Sequence, residues 1–392
     1  MTSQVDVLNT ARRLIDKEKY EEAERLLQPC LADEVHGLAS VLLYANALRR
    51  RGEGATANKA LQAAVLRPCR VPVAVWAAFA ENLLDAAYWQ AAEKVAQRLA
   101  KAQPAVYHYL SAVLAREQGR WEKLTVHIEQ MPTDGDWPYR AALLAARRDQ
   151  ALGQAVGLSV RLARMDWPAH LRGQARLVLA RLAIAEQELE SARSLLEEAL
   201  KQDAGDWEAM TLLGLIQAER AEALWQRSLV LQPRQAETYF NRARKRLQAR
   251  QAQAAVSDLQ AAVAIKPWFT QAALLGIQVL AGMHRLTEAE ALAAQAQPWT
   301  PEAKLDAMRV DLARLLRDGQ KARARAETAV AAHPEDLDVL LSAGAAFQAT
   351  HKRDAAISAY EQRLARLPGD IAVKNNLAAL YLEEDEIEPA IA

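Results

Sequence analysis

The sequence is poor in cysteine, glycine, proline and aromatic residues: 2 Cys, 15 Gly, 14 Pro and 6% Phe, Trp and Tyr in 392 residues. Two cysteines cannot staple a chain of this length, so a disulfide framework is excluded. Cys30 and Cys69 have neither CxxC spacing nor clustered histidines. That pattern favours two reduced thiols in a cytoplasmic protein over a metal site or a bridge. With few aromatics and few Val-rich runs, a large β-sheet has little to be built from. Net charge is missing too: 49 basic residues balance 49 acidic ones, which gives no support to a surface that tracks phosphates or an anionic membrane. No apolar run reaches about 18 residues without a charge, so no membrane span is expected. The N-terminus, MTSQVDVLNTARRLIDKEKY, lacks the apolar core of a secretory signal. Alanine is what the chain has in abundance, about a fifth of all residues. Composition and length describe a helical protein.

Prolines punctuate the second half at Pro233, Pro267, Pro301, Pro334 and Pro368, with spacings of 34, 34, 33 and 34. Each follows one helical pattern and precedes the next, where a fixed φ and a missing N–H stop one helix and start another. In 335–368, Leu337, Leu340, Leu341, Gly344 and Phe347 share one face of a first helix. Ala356, Ile357, Tyr360, Leu364 and Leu367 share one face of a second. The short polar THKRD between them makes the two helices antiparallel neighbours. Gly344 and Ala356 are expected on the facing surfaces, where small residues let backbones approach. Such a hairpin cannot bury its own face and must stack on copies of itself.

These residues resemble the tetratricopeptide repeat, whose period is about 34 residues. Leu340, Gly344, Phe347, Ala356, Tyr360 and Pro368 stand at the pattern's positions in 337–368, and Tyr239, Ala243, Ala255, Leu259, Ala262 and Pro267 in 236–267. Ala273, Ala289, Ala296 and Pro301 match in 270–301, with Gly276 one place early, and Trp76, Ala80, Ala92 and Pro104 match in the third repeat. The resemblance implies an all-α, right-handed α-solenoid of antiparallel helix pairs. One array over 1–392 is expected, with hairpins at about 3–31, 36–67, 72–103, 104–132, 137–166, 169–202, 207–232, 236–266, 270–298, 303–333, 337–367 and from 371 on. Repeats in 104–232 are irregular, and 207–232 is about five residues short, so the superhelix there is expected to bend differently. Two DWP tripeptides, at 136–138 and 166–168, each open a hairpin. The most regular repeats lie in 233–392. The twelfth stops inside its second helix without a polar cap, which reads as a piece of a longer protein.

No catalytic constellation is present. The histidines His36, His108, His127, His170, His284, His333 and His351 form no HExxH or other ligand spacing, so no metal is expected. GxGxxG, GxxxxGK[ST] and GxSxG are all absent, so no cofactor is expected. Acidic pairs such as Glu197-Glu198 and Glu383-Glu384 read as helix surface. The basic runs Arg49-Arg50-Arg51 and Arg242 to Arg246 are flanked by acids, which argues against nucleic acid. The nine tryptophans, Trp299 among them, mostly sit at hairpin starts or turns and read as packing between repeats.

What remains is surface. In proteins resembling this one the first helix of each pair lines a concave groove. Carried onto the regular repeats, that face offers Glu237, Asn241, Arg244 and Gln248, then Gln271 and Gln278. Lys304, Asp311 and Arg314 follow, then Asp338, Ser342 and Gln348, and finally Asn375 and Asn376. Asn241 and Asn376 match a position whose amide holds a peptide backbone in some family members, but Met308 and Ser342 interrupt the row. The Lys and Asn set that grips an acidic peptide terminus is not assembled. The expectation is a non-enzymatic, cytoplasmic scaffold of bacterial type that binds a peptide or protein segment, with no nucleic acid and no membrane span. Two alternatives stand beside it: the repeat region of a larger glycosyl-, sulfo- or hydroxylating transferase, and an assembly factor for an envelope or secretion complex.

Overall fold

The computed structural model describes residues 4–65, 73–296 and 303–382. Cys69, Trp299, Pro301 and the end of the chain from Glu383 on lie outside the described residues. Among the described residues every regular element is helical, and the chain divides into two compact units, Met1–Thr238 and Tyr239–Ala392.

The first unit stacks hairpins made of α1 (Gln4–Asp16) and α2 (Tyr20–Leu27), α3 (Gly37–Arg50) and α4 (Gly54–Ala64), and α5 (Val73–Asp85) and α6 (Trp89–Leu99). It continues with α7 (Pro104–Glu117) and α8 (Trp121–Glu129), then α9 (Trp137–Ala151) and the six-residue α10 (Leu158–Ala163). α11 (Arg172–Ala185) and α12 (Leu189–Gln202) follow, then α13 (Trp207–Ile216) and α14 (Ala221–Leu231). The first DWP opens α9 directly, while the second leads into α11 through a short 3₁₀ turn at Ala169–Leu171. The second unit begins within α15 (Ala236–Gln248), paired with α16 (Ala252–Ile265). Its other pairs are α17 (Thr270–Gly282) with α18 (Leu286–Ala296), α19 (Ala303–Leu315) with α20 (Gly319–Ala332), and α21 (Leu337–Ala349) with α22 (Arg353–Arg366). α23 (Ile371–Leu382) follows them.

One backbone device sets nearly every hairpin turn. Glu18, Gly52, Ala87, Gly119, Gly153, Gln187, Arg250, His284, Arg317 and His351 all take left-handed φ between the two helices of a pair. The next N–H then bonds back to the first helix, as Glu53 does to Leu48 O and Lys352 to Phe347 O, each at 2.8 Å. The step from Gln187 to Arg250 is 63 residues, five short of two 34-residue periods. The missing residues come from the α13–α14 turn, which runs only from Gln217 to Arg220 and has no left-handed residue.

The alanines occupy the hairpin contacts. Ala23, Ala57, Ala92, Ala192, Ala255, Ala289, Ala322 and Ala356 are each no more than 1% exposed. The glycines serve a different purpose from the close backbone approach expected of them. A Cβ on Gly344 would lie 2.7 Å from Tyr360 Cδ1, one on Gly214 would lie 2.9 Å from Trp225 Cδ1, and one on Gly276 would lie 2.6 Å from Leu292 Cδ2. Each glycine is therefore a notch that receives a large side chain from the second helix, and the nearest neighbour of Gly344 is Tyr360 rather than Ala356. Two tryptophans expected to pack between repeats are held by bonds within or beside their own hairpin. Trp225 and Trp167 are buried and donate to Thr211 O at 3.0 Å and Leu162 O at 2.8 Å.

The first unit also touches itself over long sequence distances. Asn58 on α4 donates to Gln232 Oε1 at 2.8 Å, and both residues are buried. Gly54 sits so close to the end of α14 that a Cβ there would lie 2.7 Å from Leu231 C and Val230 O. Arg234 donates to Ala86 O and Ala87 O, both at 3.1 Å, and its guanidinium lies 4.7 Å over the Tyr88 ring. Arg50 spans to Asp203 with both oxygens engaged, Nη2 to Oδ2 at 3.0 Å. The second and third hairpins thus close against the seventh.

A histidine pair gives the first unit a pH response. His108 Nδ1 on α7 and His127 Nδ1 on α8 lie 3.1 Å apart, a contact that needs one donor and one acceptor, so at least one ring must be neutral. Burial first, then His108 and Lys123, holds the His127 pKa below its usual value, and the Tyr107 ring packs edge-on against it at 5.9 Å. A depressed histidine pKa means that the folded state resists protonation. Stability is therefore full above the unfolded-state pKa near 6.5 and falls as pH drops through it toward the folded value. Urea unfolding at pH 7.5 and 5.5 should show lower stability at the acid pH, with a smaller difference in His127→Gln; an equal difference in that variant removes the pair as the cause.

Candidate binding groove

The residues expected to face a groove in the second unit come from the first helices α15, α17, α19, α21 and α23, which also supply core residues such as Ala243, Ile277, Val310, Ala343 and Val373. Arg244, Gln248, Gln271, Gln278, Lys304, Arg314, Asp338 and Asn375 are exposed, as is Glu237 at the end of the first unit. Asn241 and Asp311 are half-buried. Five of the predicted residues spend polar atoms within the protein. Buried Ser342 donates to Asp311 Oδ2 at 2.9 Å, bridging α21 to α19. The Tyr360 hydroxyl donates to Gln348 Oε1 at 3.3 Å and accepts from Asn376 Nδ2 at 3.4 Å, joining α21 to α23. Arg314 pairs with Asp311 at 3.4 Å, and its charge also acts on Tyr360. Asp311, Arg314, Ser342, Gln348 and Asn376 thus form one polar floor across three successive first helices.

Among the described residues, no side-chain hydrogen bond joins Asn241, Gln271 or Gln278 to that floor. Sequence position proposes a face, but it does not say which side chains a neighbouring helix consumes. The basic run on α15 illustrates this. Arg242 and Arg246 both point at buried Asp258 on α16, Arg242 Nε to Oδ2 at 2.9 Å and Arg246 Nη1 to Oδ2 at 2.8 Å. Only Arg244 of the predicted set is left on that helix as an exposed cation, lying 5.9 Å from the Phe240 ring.

A second polar region, in the first unit, was not singled out by sequence. Its first helices α3, α5, α7, α9, α11 and α13 bring Arg49, Glu81, Asp85, Arg116, Arg147, Arg181 and Glu208 within electrostatic reach of one another. Arg140 on α9 reaches past α7 to Glu81 on α5 at 3.2 Å, and lies 4.8 Å over Tyr109. Arg181 on α11 grips Glu208 on α13 with Nε at 3.1 Å and Nη2 at 2.6 Å. Burial works against the charge of Glu208, but Arg181, Arg147 and Arg116 outweigh it and hold that carboxyl below the usual range. Asp85 is open to water yet crowded by the surrounding repeats. Desolvation pushes its carboxyl up to about 6 against the pull of Arg49. The only sequence signal for this region was the irregularity of the repeats that build it.

Among the described residues no helix is long and apolar enough to cross a membrane, and no group of three or more His, Cys, Asp and Glu could hold a metal ion. No protein-family model matches the sequence, and no curated protein matches it. Solved structures do resemble it. The human IFIT1 dimer with PPP-AAAA is 14% identical at a TM-score of 0.48, over 92% of this chain and 89% of that one. A tetratricopeptide repeat protein from Parabacteroides merdae is 14% identical at 0.40, over 56% of this chain and 89% of that one. Pseudomonas aeruginosa pilF is 18% identical at 0.42, over 54% of this chain and 97% of that one. Antiparallel helix pairs on a period of about 34 residues, with left-handed turns in register and glycine notches receiving large side chains in three hairpins, give this chain the fold of a tetratricopeptide-type helical repeat array.

Proposed function

We propose that this chain is a non-enzymatic interaction scaffold whose second unit holds an extended segment of a protein partner along its first helices. The polar floor across α19, α21 and α23 carries the reading. Side chains from three repeats are fixed there by bonds to one another, so the face is ordered before a partner arrives. Exposed Lys304 and Asn375 stand on the same helices as the floor, which itself includes exposed Arg314, and Arg244 belongs to the same series of helices. A segment with acidic residues and free backbone amides suits that mixture of cations and amides. The free thiol of Cys30 fits a cytoplasmic setting.

Peptides selected from a random displayed library on the full chain should be enriched in acidic residues. Charge reversal at Arg244, Lys304 or Arg314 should weaken their binding by about two- to fivefold each, since exposed charges contribute modestly. The triple reversal should approach full loss by fluorescence polarisation. Peptides that bind the triple variant as tightly as the unchanged chain place the partner surface elsewhere.

A further inference from the structure

The polar floor of the second unit contains one ion pair whose two members are held very differently. Asp311 on α19 is anchored from the next repeat, because buried Ser342 on α21 donates to its Oδ2 at 2.9 Å. Arg314, a turn further along α19, reaches only the other oxygen, with Nη2 alone and at 3.4 Å. Among the described residues it makes no other hydrogen bond or ion pair. Both side chains are open to water, 39% for Arg314 and 40% for Asp311. Arginines that stitch the repeats together are bound otherwise. Arg242 on α15 grips buried Asp258 on α16 with Nε at 2.9 Å and Nη2 at 2.6 Å, and that pair is nearly closed to solvent. Arg363 on α22 holds Asp370 at 2.7 Å, just before α23. The Arg314–Asp311 contact joins no two elements, since both residues belong to α19. An exposed pair within one helix contributes little to stability.

Such a pair is easily parted, and parting leaves its members unequal. When Arg314 swings away, Asp311 stays, fixed by Ser342. The guanidinium keeps to the floor's side of α19, where its charge reaches the Tyr360 hydroxyl. Most of its planar fork is unused. A carboxylate from outside can take that fork with two oxygens, a better fit than one oxygen at 3.4 Å. A neutral side chain has no such gain and leaves Arg314 with Asp311. We infer that Asp311 is an internal competitor of the bound segment: it occupies Arg314 in the empty groove and yields it only to an acidic side chain. This rests on the reading of the second unit as the holder of an acidic segment, and it names the residue that sets the selectivity of that groove. Affinity is held below what a free Arg314 would give, by the fraction of time Asp311 occupies it. In exchange, a segment without a carboxylate gains nothing by displacing Asp311 and is passed over.

The probes are fluorescein-labelled acidic peptides selected on the full chain, each with a twin in which every Asp and Glu is replaced by its amide. Fluorescence polarisation at fixed ionic strength and pH 7 reads their binding. Asp311→Asn keeps an acceptor for Ser342 and removes the competing charge, so acidic peptides should bind about two- to fivefold tighter. Their amide twins should show no gain. Ser342→Ala frees Asp311 to turn both oxygens on Arg314, and should weaken acidic peptides by a similar factor. The opposite signs matter, because a merely structural role for the Ser342–Asp311 bond predicts weaker binding in both variants. In an Arg314→Gln background Asp311→Asn should lose most of its gain. Unchanged or weaker binding in a folded Asp311→Asn chain overturns the inference, as does undiminished binding in a folded Ser342→Ala chain. An equal gain for the amide twins, or in the Arg314→Gln background, overturns it too. Reversal of Arg244, Lys304 and Arg314 together separates the two readings. If that triple variant binds as tightly as the unchanged chain, or if selection yields no acidic peptides, the groove reading falls and this inference with it. If the triple variant loses binding and Asp311→Asn gains nothing, only this inference falls. Should Ser342→Ala lose its helical circular dichroism, the Asp311→Asn gain and its dependence on Arg314 decide the matter.

Discussion

Gly54→Ala is expected to open the first unit at its closing contact while leaving its helices intact. Gly54 is the first residue of α4, where alanine would ordinarily be neutral or better for the helix. Its backbone is not left-handed, so the substitution carries no φ strain of its own. The obstacle is Leu231, whose backbone carbon would lie 2.7 Å from the new methyl, with Val230 O at the same distance. Backbone cannot swing aside as a side-chain tip can, so α4 and the end of α14 must part. The expected cost is about 1–3 kcal/mol, the usual range for overpacking a tight contact. Parting them also breaks the bond from Asn58 to Gln232, which lies beneath and is buried on both sides. The exposed Arg50–Asp203 pair contributes only about 0–1 kcal/mol and will not hold the contact by itself. Hydrogen exchange is the measurement: amides of α4 and of residues 228–234 should exchange faster in Gly54→Ala, with far-ultraviolet circular dichroism unchanged. Asn58→Ala should produce the same local pattern, and combining the two changes should add little. Unaltered exchange at both places would mean that the closure does not stabilise the unit.

The hairpins were legible in the sequence because the signals that make them are local. Proline spacing, the i, i+3, i+4 apolar face and short polar turns all act within one repeat, and the helix boundaries follow them closely. The closure of the first unit was not legible, because its partners stand far apart in the chain: 174 residues for Asn58 and Gln232, 153 for Arg50 and Asp203, and 148 for Arg234 and Ala86. A repeat pattern encodes contacts between neighbours, and where the stack returns on itself depends on small rotations summed over many repeats. The one hint was the shortened hairpin at 207–232, and its second helix, α14, is the one that meets α4. Interior charges such as Arg147 and Asp85 were hidden for the same reason. On a helical wheel they are ordinary polar residues, and only the enclosing repeats give them an environment. In the second unit most of the residues that repeat position assigned to a groove face are exposed. The loss of Ser342, Gln348 and Asn376 to internal bonds was not legible, since it depends on Asp311 and Tyr360 in other helices.

Tyr360→Ala should cost about 3–5 kcal/mol, the range for removing a fully buried aromatic side chain, because Tyr360 is 0% exposed and is among the largest side chains in the core. Its position in the notch of Gly344 makes a sharper test possible. Gly344→Ala removes a helix-interior glycine and should gain about 1 kcal/mol from propensity alone. The notch predicts the opposite sign. The added methyl would stand 2.7 Å from Tyr360 Cδ1 and 2.9 Å from Cζ, so a ring locked on all sides must move. A net loss of about 1–3 kcal/mol is expected. Truncating the ring to alanine should give the methyl room, whereas a leucine would not, since a methyl on Gly276 would stand 2.6 Å from Leu292 Cδ2. Gly344→Ala should therefore be nearly harmless, or stabilising, in a Tyr360→Ala background, with a coupling of about 1–3 kcal/mol across the double-mutant cycle. Urea unfolding followed together with exchange at α21 and α22 reads both the size and the place of the effect. Strict additivity would instead favour the close backbone approach that the sequence suggested for Gly344 and Ala356. The same substitutions reach the groove, because the Tyr360 hydroxyl holds Gln348 and Asn376 at 3.3 and 3.4 Å. Tyr360→Phe keeps the ring in its notch and removes only those bonds. It should cost about 1 kcal/mol while loosening the two side chains, and peptide binding should weaken more than stability falls.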